Sequence, residues 1–141
     1  MEKALVDTDI WLEIVRGVNP TVQARANAYW ALHGTFTLSV ITVAEVVRGL
    51  ARRQRADLLA QGRADVERLE ILPLDYTAAE LAGELYARLE LAGVPIGRLD
   101  PLLAATALRH QLALVTGNVR HFQRVAELGY PLEIVSWREE G

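Results

Sequence analysis

The sequence contains no cysteine, a single lysine (Lys3) and no apolar run of 18 residues. The lack of cysteine excludes disulfides, thiolate metal sites and thiol nucleophiles. The lack of a long apolar run excludes a membrane-spanning helix, and residues 1–6 lead into acidic residues instead of the apolar core of a signal peptide. We therefore expect a cytoplasmic protein with no membrane partner.

The presence of only one lysine also excludes two classes of protein that need a catalytic lysine elsewhere in the chain. Asp7 and Asp9 follow an apolar segment as Asp-x-Asp, a pattern typical of haloacid-dehalogenase-type phosphatases, but those enzymes need a catalytic lysine downstream and Lys3 lies upstream. A response-regulator receiver domain is excluded for the same reason. Neither G-x-G-x-x-G nor G-x-x-x-x-G-K-[ST] occurs, so dinucleotide and P-loop sites are not indicated.

The remaining composition is that of a globular chain of 141 residues, 51% hydrophobic and 23% charged. A chain of this length buries roughly 70% of its extended surface on folding, so we expect one domain over residues 1–141. Its net charge of −3 provides no overall attraction for nucleic acid. Any binding of RNA must therefore use local clusters of arginine.

Short β-rich segments alternate with segments of helical periodicity along the whole chain. This alternation predicts an α/β fold with a central, mostly parallel five-stranded sheet. Predicted strands lie at 4–6, 36–40, 69–74, 112–116 and near 134, and predicted helices at 10–16, 21–32, 42–53, 56–68, 77–92, 101–110 and 119–128.

Acidic and amide side chains mark the junctions between these strands and the helices that follow them. Asp7 and Asp9 close the first strand, Glu45 lies early in the helix after the second, Asp100 precedes the helix from 101, and Asn118 follows the strand at 112–116. Active sites of parallel α/β sheets lie at the carboxyl ends of the strands. We therefore expect these side chains to lie close together.

Four of these side chains have an alternative interpretation as helix caps. Asp9 and Asn118 are good N-cap residues, Thr42 and Glu45 match a capping box, and Asp100 precedes a proline as at many helix starts. Asp7 fits this interpretation least, because it lies before the predicted cap. On sequence alone both interpretations remain open for the other four.

Energies distinguish the two interpretations if Asp7, Glu45 and Asp100 converge. A cap contributes about 1 kcal/mol, whereas two carboxylates about 5 Å apart repel by roughly 3 kcal/mol at an effective dielectric constant of about 20. Converging carboxylates therefore need relief, either from a proton that raises one pKa or from a hard cation. Carboxylate and amide oxygens suit Mg²⁺ or Mn²⁺ better than zinc.

Four segments carry a family resemblance in order along the chain. VDTDIW at 6–11, AEVVRGL at 44–50, LDPLLAATAL at 99–108 and LVTGNVRHF at 114–122 resemble the successive motifs of the PIN-domain nucleases, and among these the VapC toxins of toxin–antitoxin pairs. The resemblance implies a three-layer α/β/α PIN-like domain. It also implies a Mg²⁺- or Mn²⁺-dependent endoribonuclease that hydrolyses RNA with a metal-activated water.

The resemblance assigns roles to individual residues. Asp7, Glu45 and Asp100 correspond to the acidic metal ligands, and they are the expected catalytic residues together with Asn118. Asn118 occupies the position where many PIN domains carry a fourth acid, so we expect one tightly held ion and a second only with substrate. Asp9 and Thr116 match positions that support the ligands.

The charge of the chain suggests contacts to the substrate, and the resemblance suggests two protein partners. Because the net charge is negative, Arg48, Arg98 and Arg120 near the acidic edge are the expected contacts to RNA phosphates. A cognate VapB-type antitoxin would lie across the acidic groove, and a second copy of the chain would form a homodimer, with the helix at 77–92 as one possible face. The alternative is a non-catalytic PIN-like module that binds RNA or protein.

Overall fold

The computed structural model describes residues 1–139, and the boundaries of its helices and strands are close to those predicted. The strands are β1 (Ala4–Val6), β2 (Thr37–Ser39), β3 (Glu70–Leu72), β4 (Ala113–Val115) and β5 (Ile134–Val135). The helices are α1 (Thr8–Arg16), α2 (Pro20–His33), α3 (Val40–Ala51), α4 (Ala56–Glu67), α5 (Tyr76–Leu91), α6 (Asp100–Arg109) and α7 (Val119–Glu127). Within residues 1–139 no helix is both long and apolar enough to cross a membrane.

The five strands form one sheet in the order β3-β2-β1-β4-β5, and every neighbouring pair is parallel. The central strand β1 places Leu5 opposite Thr37 of β2 on one side and Leu114 of β4 on the other. This arrangement confirms the predicted α/β class, and in the described residues the sheet is entirely parallel.

Helices cover both faces of the sheet. Adjacent residues of a strand point to opposite sides, so each face presents apolar side chains that pack against helices. Val6 packs in one apolar cluster with Ile10 of α1 and Tyr29 of α2, whereas Leu5 packs in a second cluster with Leu85 of α5 and with residues of α6 and α7. Both clusters are almost fully buried. The predicted three-layer α/β/α architecture is therefore confirmed.

The helix ends at Gly17 and Gly34 were predicted correctly. Both glycines have left-handed backbones, with φ of 69° and 71°, and each N–H bonds a carbonyl four residues earlier. Most other residues are strained in this conformation, so glycine stops the helix there at little cost.

The predicted helix starts were wrong at three junctions. Asp7, not Asp9, is the N-cap of α1, and Asp9 lies in its first turn. Ser39 caps α3, so Thr42 and Glu45 lie inside that helix and form no capping box. Asp100 is the first helical residue of α6, after Leu99. The capping interpretation therefore does not account for Asp9, Glu45 or Asp100. The expectation that Asp7 fits it least was wrong, because Asp7 caps α1 and accepts the Thr8 N–H.

The chain leaves β1 and β4 toward opposite faces, which opens a crevice between their carboxyl ends. Helix α1 packs in the cluster that contains Val6, and α7 packs through Phe122 in the cluster that contains Leu5. The Asp7 N–H donates to the Val115 carbonyl at 2.8 Å, which extends the contact between the strands by one residue. This topological switch point is where α/β proteins bind ligands.

Candidate active site

Asp7 lies in this crevice and is held from two sides. Its side chain is almost fully buried, with 4% of the residue exposed. Asp7 Oδ1 accepts the Thr8 N–H at 2.7 Å, and Oδ2 accepts the Thr116 hydroxyl at 2.8 Å. The Thr116 hydroxyl also accepts the Asn118 N–H at 3.0 Å. The carboxyl group is therefore fixed between the loops that follow β1 and β4.

The environment of Asp7 disfavours its charge. Burial, and after it the neighbouring Asp9 carboxylate, raises the pKa of Asp7 from 3.8 to about 7, and Asp100 contributes in the same direction. The hydrogen bonds from Thr116 and Thr8 lower this pKa without offsetting the increase. A raised pKa is one of the two forms of relief expected for converging carboxylates.

Glu45 approaches Asp7 through an intervening threonine. The half-buried Glu45 side chain accepts the Thr8 hydroxyl at 2.7 Å through Oε1. The Thr8 hydroxyl is also hydrogen-bonded to the buried Thr42 hydroxyl at 3.0 Å. Sequence reasoning missed Thr8, although it stands between the two aspartates of the D-T-D segment, and predicted for Thr42 only a capping role. The two threonines fix Glu45 at the rim of the crevice.

Asp100 lies at the start of α6, on the other side of the crevice. It is close enough to Asp7 for its charge to raise the Asp7 pKa. One of its oxygens, Oδ2, lies 3.5 Å from His121 Nδ1 on α7. Asp7 and Asp100, 93 residues apart in the chain, therefore lie close enough for their charges to interact.

Asp9 joins α1 to the loop after β4. Its Oδ2 accepts the Gly117 N–H at 3.0 Å and lies 3.5 Å from Arg138 Nη2, while Oδ1 accepts the Ile10 N–H at 2.8 Å. Burial raises the pKa of Asp9, and the Arg138 charge opposes that increase. Through these contacts Asp9 links α1 to the loop after β4 and to Arg138.

Arg138 is a part of the site that sequence reasoning missed. Its Nη2 lies 2.7 Å from Glu13 Oε1 and 3.5 Å from Asp9 Oδ2. It also packs over Gly117, where a Cβ atom would lie 1.8 Å from Arg138 Nη1. The available signal was its place three residues after β5, at the same sheet edge. Arg138 balances Asp9 and Glu13, whereas Asp7 has no salt-bridge partner within residues 1–139.

The remaining predicted residues lie on the surface around the crevice. Asn118 stands at the N-cap of α7, but its exposed side chain makes no capping hydrogen bond. Its backbone N–H donates to Thr116 and links it to the site. Arg48, Arg98 and Arg120 are exposed. Within residues 1–139 none of these three arginines forms an ion pair with the acidic residues.

The donor chemistry of the crevice suits a hard divalent cation. Asp7, Asp100 and Glu45 offer carboxylate oxygens, which Mg²⁺ and Mn²⁺ prefer. The Asp7 pKa is raised mainly by burial and secondarily by the neighbouring Asp9 carboxylate, and a bound cation would favour the charged form of Asp7. In the placement seen across residues 1–139, no three His, Asp or Glu side chains form a ready-made metal site.

The fold and site define a class: a parallel α/β domain with an acidic crevice at its topological switch point. The PIN domain family model matches residues 4–128, and the chain belongs to this family. It is 31% identical over 129 residues to the tRNA(fMet)-specific endonuclease VapC of Shigella flexneri, covering 91% of this chain and 96% of that protein. It is 31% identical over 141 residues to ribonuclease VapC10 of Mycobacterium tuberculosis, covering 95% and 96%.

Solved structures show the same similarity. The DNA-bound VapBC structure from Salmonella typhimurium includes a chain that is 28% identical, with a TM-score of 0.75, covering 97% of this chain and 99% of that one. A chain of VapBC-1 from nontypeable Haemophilus influenzae has a TM-score of 0.82 at 24% identity, covering 98% and 100%. Because its sequence identity is only 24%, the comparison with VapBC-1 supports the shared fold alone.

Proposed function

We propose that this chain is a Mg²⁺- or Mn²⁺-dependent endoribonuclease and the toxin of a VapBC-type toxin–antitoxin pair. Its relatives are named as VapC ribonucleases, and its structural neighbours come from VapBC complexes. The observation that carries the proposal is the Asp7 carboxyl group. It is buried at the switch point, and its pKa is raised to about 7 by burial and by the nearby carboxylates Asp9 and Asp100.

In this proposal Asp7, Asp100 and Glu45 hold the metal ion. When bound, the ion would supply a Lewis acid for the phosphate and a water of lowered pKa. The chain's own residues fix the donors. Thr116 and the Thr8 N–H orient the two Asp7 oxygens, and the Thr8 hydroxyl fixes Glu45.

Other residues keep the crevice in shape. Asp9 binds the Gly117 N–H, so it holds the loop after β4 against α1. Arg138 neutralises Asp9 and Glu13 and thereby lowers the negative charge beside the crevice. Asn118 contributes its backbone N–H to Thr116, and its exposed side chain is available to substrate.

Cleavage of RNA with and without Mg²⁺ or Mn²⁺ tests the proposal. The wild type should cut total cellular RNA in the presence of metal and lose this activity in EDTA. Asp7→Asn and Asp100→Asn should each lower the rate by at least about 100-fold, because each removes a charged ligand. Asp57→Asn is the matched control, since the Asp57 side chain is exposed on α4 and pairs with Arg55.

Two outcomes would contradict the proposal. Metal-independent cleavage that survives both substitutions would show that the crevice carboxylates are not the catalytic groups. A failure to cut any cellular RNA would favour the non-catalytic RNA- or protein-binding module.

The same proposal includes two protein partners. The structural neighbours are toxin–antitoxin complexes, which supports a VapB-type antitoxin as a partner. In our proposal this antitoxin lies across the acidic crevice. A second copy of the chain would complete a homodimer. Sedimentation of the purified chain tests the dimer, and a monomer at all concentrations would contradict it.

A further inference from the structure

A basic groove adjoins the acidic crevice and contains Arg120, one of the three arginines that the sequence suggests as contacts to RNA. Its volume is about 530 Å³, and it lies between the start of α7 and the segment after β5. Polar and charged side chains dominate its lining. They include Arg120, Arg124, Arg138, His121 and Asn118, with Glu139 as the acidic residue.

Two of the three guanidinium groups in the groove are held in position by the protein. Arg138 is fixed by Asp9 and Glu13. Arg124 Nη1 donates to the Pro95 carbonyl at 2.9 Å, which ties α7 to the loop before α6. These side chains are already ordered in the folded protein, so a ligand that binds them loses less free energy to side-chain ordering.

Arg120 differs because its guanidinium is exposed and makes no hydrogen bond or ion pair within residues 1–139. It lies one helical turn before Arg124, so both side chains project from the same side of α7. Arg120 is therefore free to bind a group that enters the groove from solvent.

The groove and the crevice share a wall. Asn118 donates its N–H to Thr116, which in turn donates to Asp7. His121 also lines the groove and lies 3.5 Å from Asp100. Asn118 and His121 thus connect the groove to the two crevice carboxyl groups, Asp7 and Asp100.

We propose that this groove binds a backbone phosphate of the RNA strand next to the one that is cleaved, through Arg120 and Arg124. The inference rests on the proposed function for its choice of RNA. Planar guanidinium groups match phosphate oxygens in charge and geometry. Because the whole chain has a net charge of −3, a local cationic groove is needed to hold a polyanion beside an acidic crevice.

Fluorescence anisotropy tests the groove with a fluorescein-labelled single-stranded RNA oligonucleotide of mixed sequence. All proteins carry Asp7→Asn to suppress cleavage. The double variant Arg120→Gln/Arg124→Gln is compared with the unsubstituted groove, and Arg16→Gln is the control. Arg16 is an exposed arginine at the far end of α1. Circular dichroism and thermal unfolding establish that each variant is folded.

The double variant should bind the RNA at least about tenfold more weakly than the protein with the intact groove. The slope of log affinity against log salt should fall by about 0.7 for each phosphate contact that is lost. Arg16→Gln should change the affinity by less than about twofold, because it lies outside the groove.

Equal affinity and slope for the double variant and the intact groove would overturn the proposal. An equal loss in Arg16→Gln would also overturn it, since net charge alone would then explain binding. If the double variant binds the RNA normally but no longer copurifies with the co-expressed antitoxin, the groove holds a peptide and the RNA assignment fails. If the groove variant binds RNA normally and the protein with Asp7 intact cleaves RNA, only the groove proposal fails. If binding depends on the groove but the protein with Asp7 intact cleaves no RNA, only the proposed function fails.

Discussion

At the scale of single residues, the buried carboxyl group of Asp7 lowers the free energy of unfolding of the metal-free protein when it is charged. Its carboxyl group is buried and has a pKa of about 7, far above its ordinary value of 3.8. The folded state therefore holds the Asp7 proton more tightly than the unfolded chain does. Stability from this group is fully present below about pH 4 and is lost as the pH rises through 7.

Asp7→Asn should accordingly stabilise the metal-free protein at high pH. The substitution removes the charge, so its advantage over the wild type should grow from near zero at pH 4 to the order of 4 kcal/mol above pH 7. Urea unfolding in EDTA across this pH range measures it. Asp57→Asn should show no such gain, because Arg55 lowers the pKa of the exposed Asp57 carboxyl. A wild type that gains stability relative to Asp7→Asn as the pH rises would contradict the assigned environment.

Thr116 acts on the same carboxyl group. Its hydroxyl donates to Asp7 Oδ2 and lowers the Asp7 pKa. Thr116→Val should therefore shift the acidic limb of the pH profile of cleavage upward by about one pH unit. Thr116→Ser keeps the hydroxyl and should stay close to the wild type. Identical profiles for Thr116→Val and the wild type would show that this hydrogen bond does not control Asp7.

At the scale of elements, the loop between α5 and α6 determines where Asp100 stands. The Tyr86 hydroxyl on α5 donates to the Arg98 carbonyl, two residues before Asp100. This hydrogen bond positions the start of α6 relative to the crevice.

Tyr86→Phe should weaken Mn²⁺ binding and RNA cleavage by about fivefold, the value of one hydrogen bond. Tyr130→Phe is a matched control, because the Tyr130 hydroxyl donates to Glu84 of the same helix, away from the crevice. Titration calorimetry with Mn²⁺ and initial cleavage rates provide the readouts. Equal losses in the two variants would point to general destabilisation of α5 and contradict a positioning role for Tyr86.

The helices were easier to predict from sequence than their first residues. Gly17 and Gly34 end α1 and α2 where expected, because a left-handed residue is a local requirement. The starts were missed because Asp7, Asp9 and Ser39 are all acceptable caps. Which of them caps a helix depends on where the preceding strand ends, and the sheet pairing sets that point.

The candidate site, like the helices, could be predicted from the sequence only in part. A parallel sheet brings strand ends together, so Asp7 and Asp100 were expected to share an edge. The sequence pattern could not show that Thr8 stands between Asp7 and Glu45, because that contact depends on side-chain orientation across two helices. Arg138 was missed for a similar reason, since its partners Asp9 and Glu13 lie more than 120 residues away in the chain.

At the scale of the whole molecule, the chain separates its charges along one edge of the sheet. Acidic side chains surround the crevice, while Arg120, Arg124 and Arg138 line the adjoining groove. A partner that neutralises both regions would need basic groups opposite the crevice and acidic groups opposite the groove.

This separation supports a prediction in cells. Expression of the chain alone should arrest growth, and co-expression of the neighbouring small open reading frame should relieve the arrest, because an antitoxin would cover the crevice. Growth curves with the Asp7→Asn chain provide the control, since that variant should not arrest growth. Arrest that persists although the two proteins form a complex would contradict the antitoxin assignment.

The proposed chemistry requires that carboxylates from separate elements hold one hard divalent cation. Anomalous diffraction from a crystal soaked in Mn²⁺ would locate this ion. We expect one strong peak contacted by Asp7 and Asp100, with Glu45 bound directly or through water. No peak in that crevice at saturating Mn²⁺, in a protein that still cleaves RNA, would show that these carboxylates do not hold the ion.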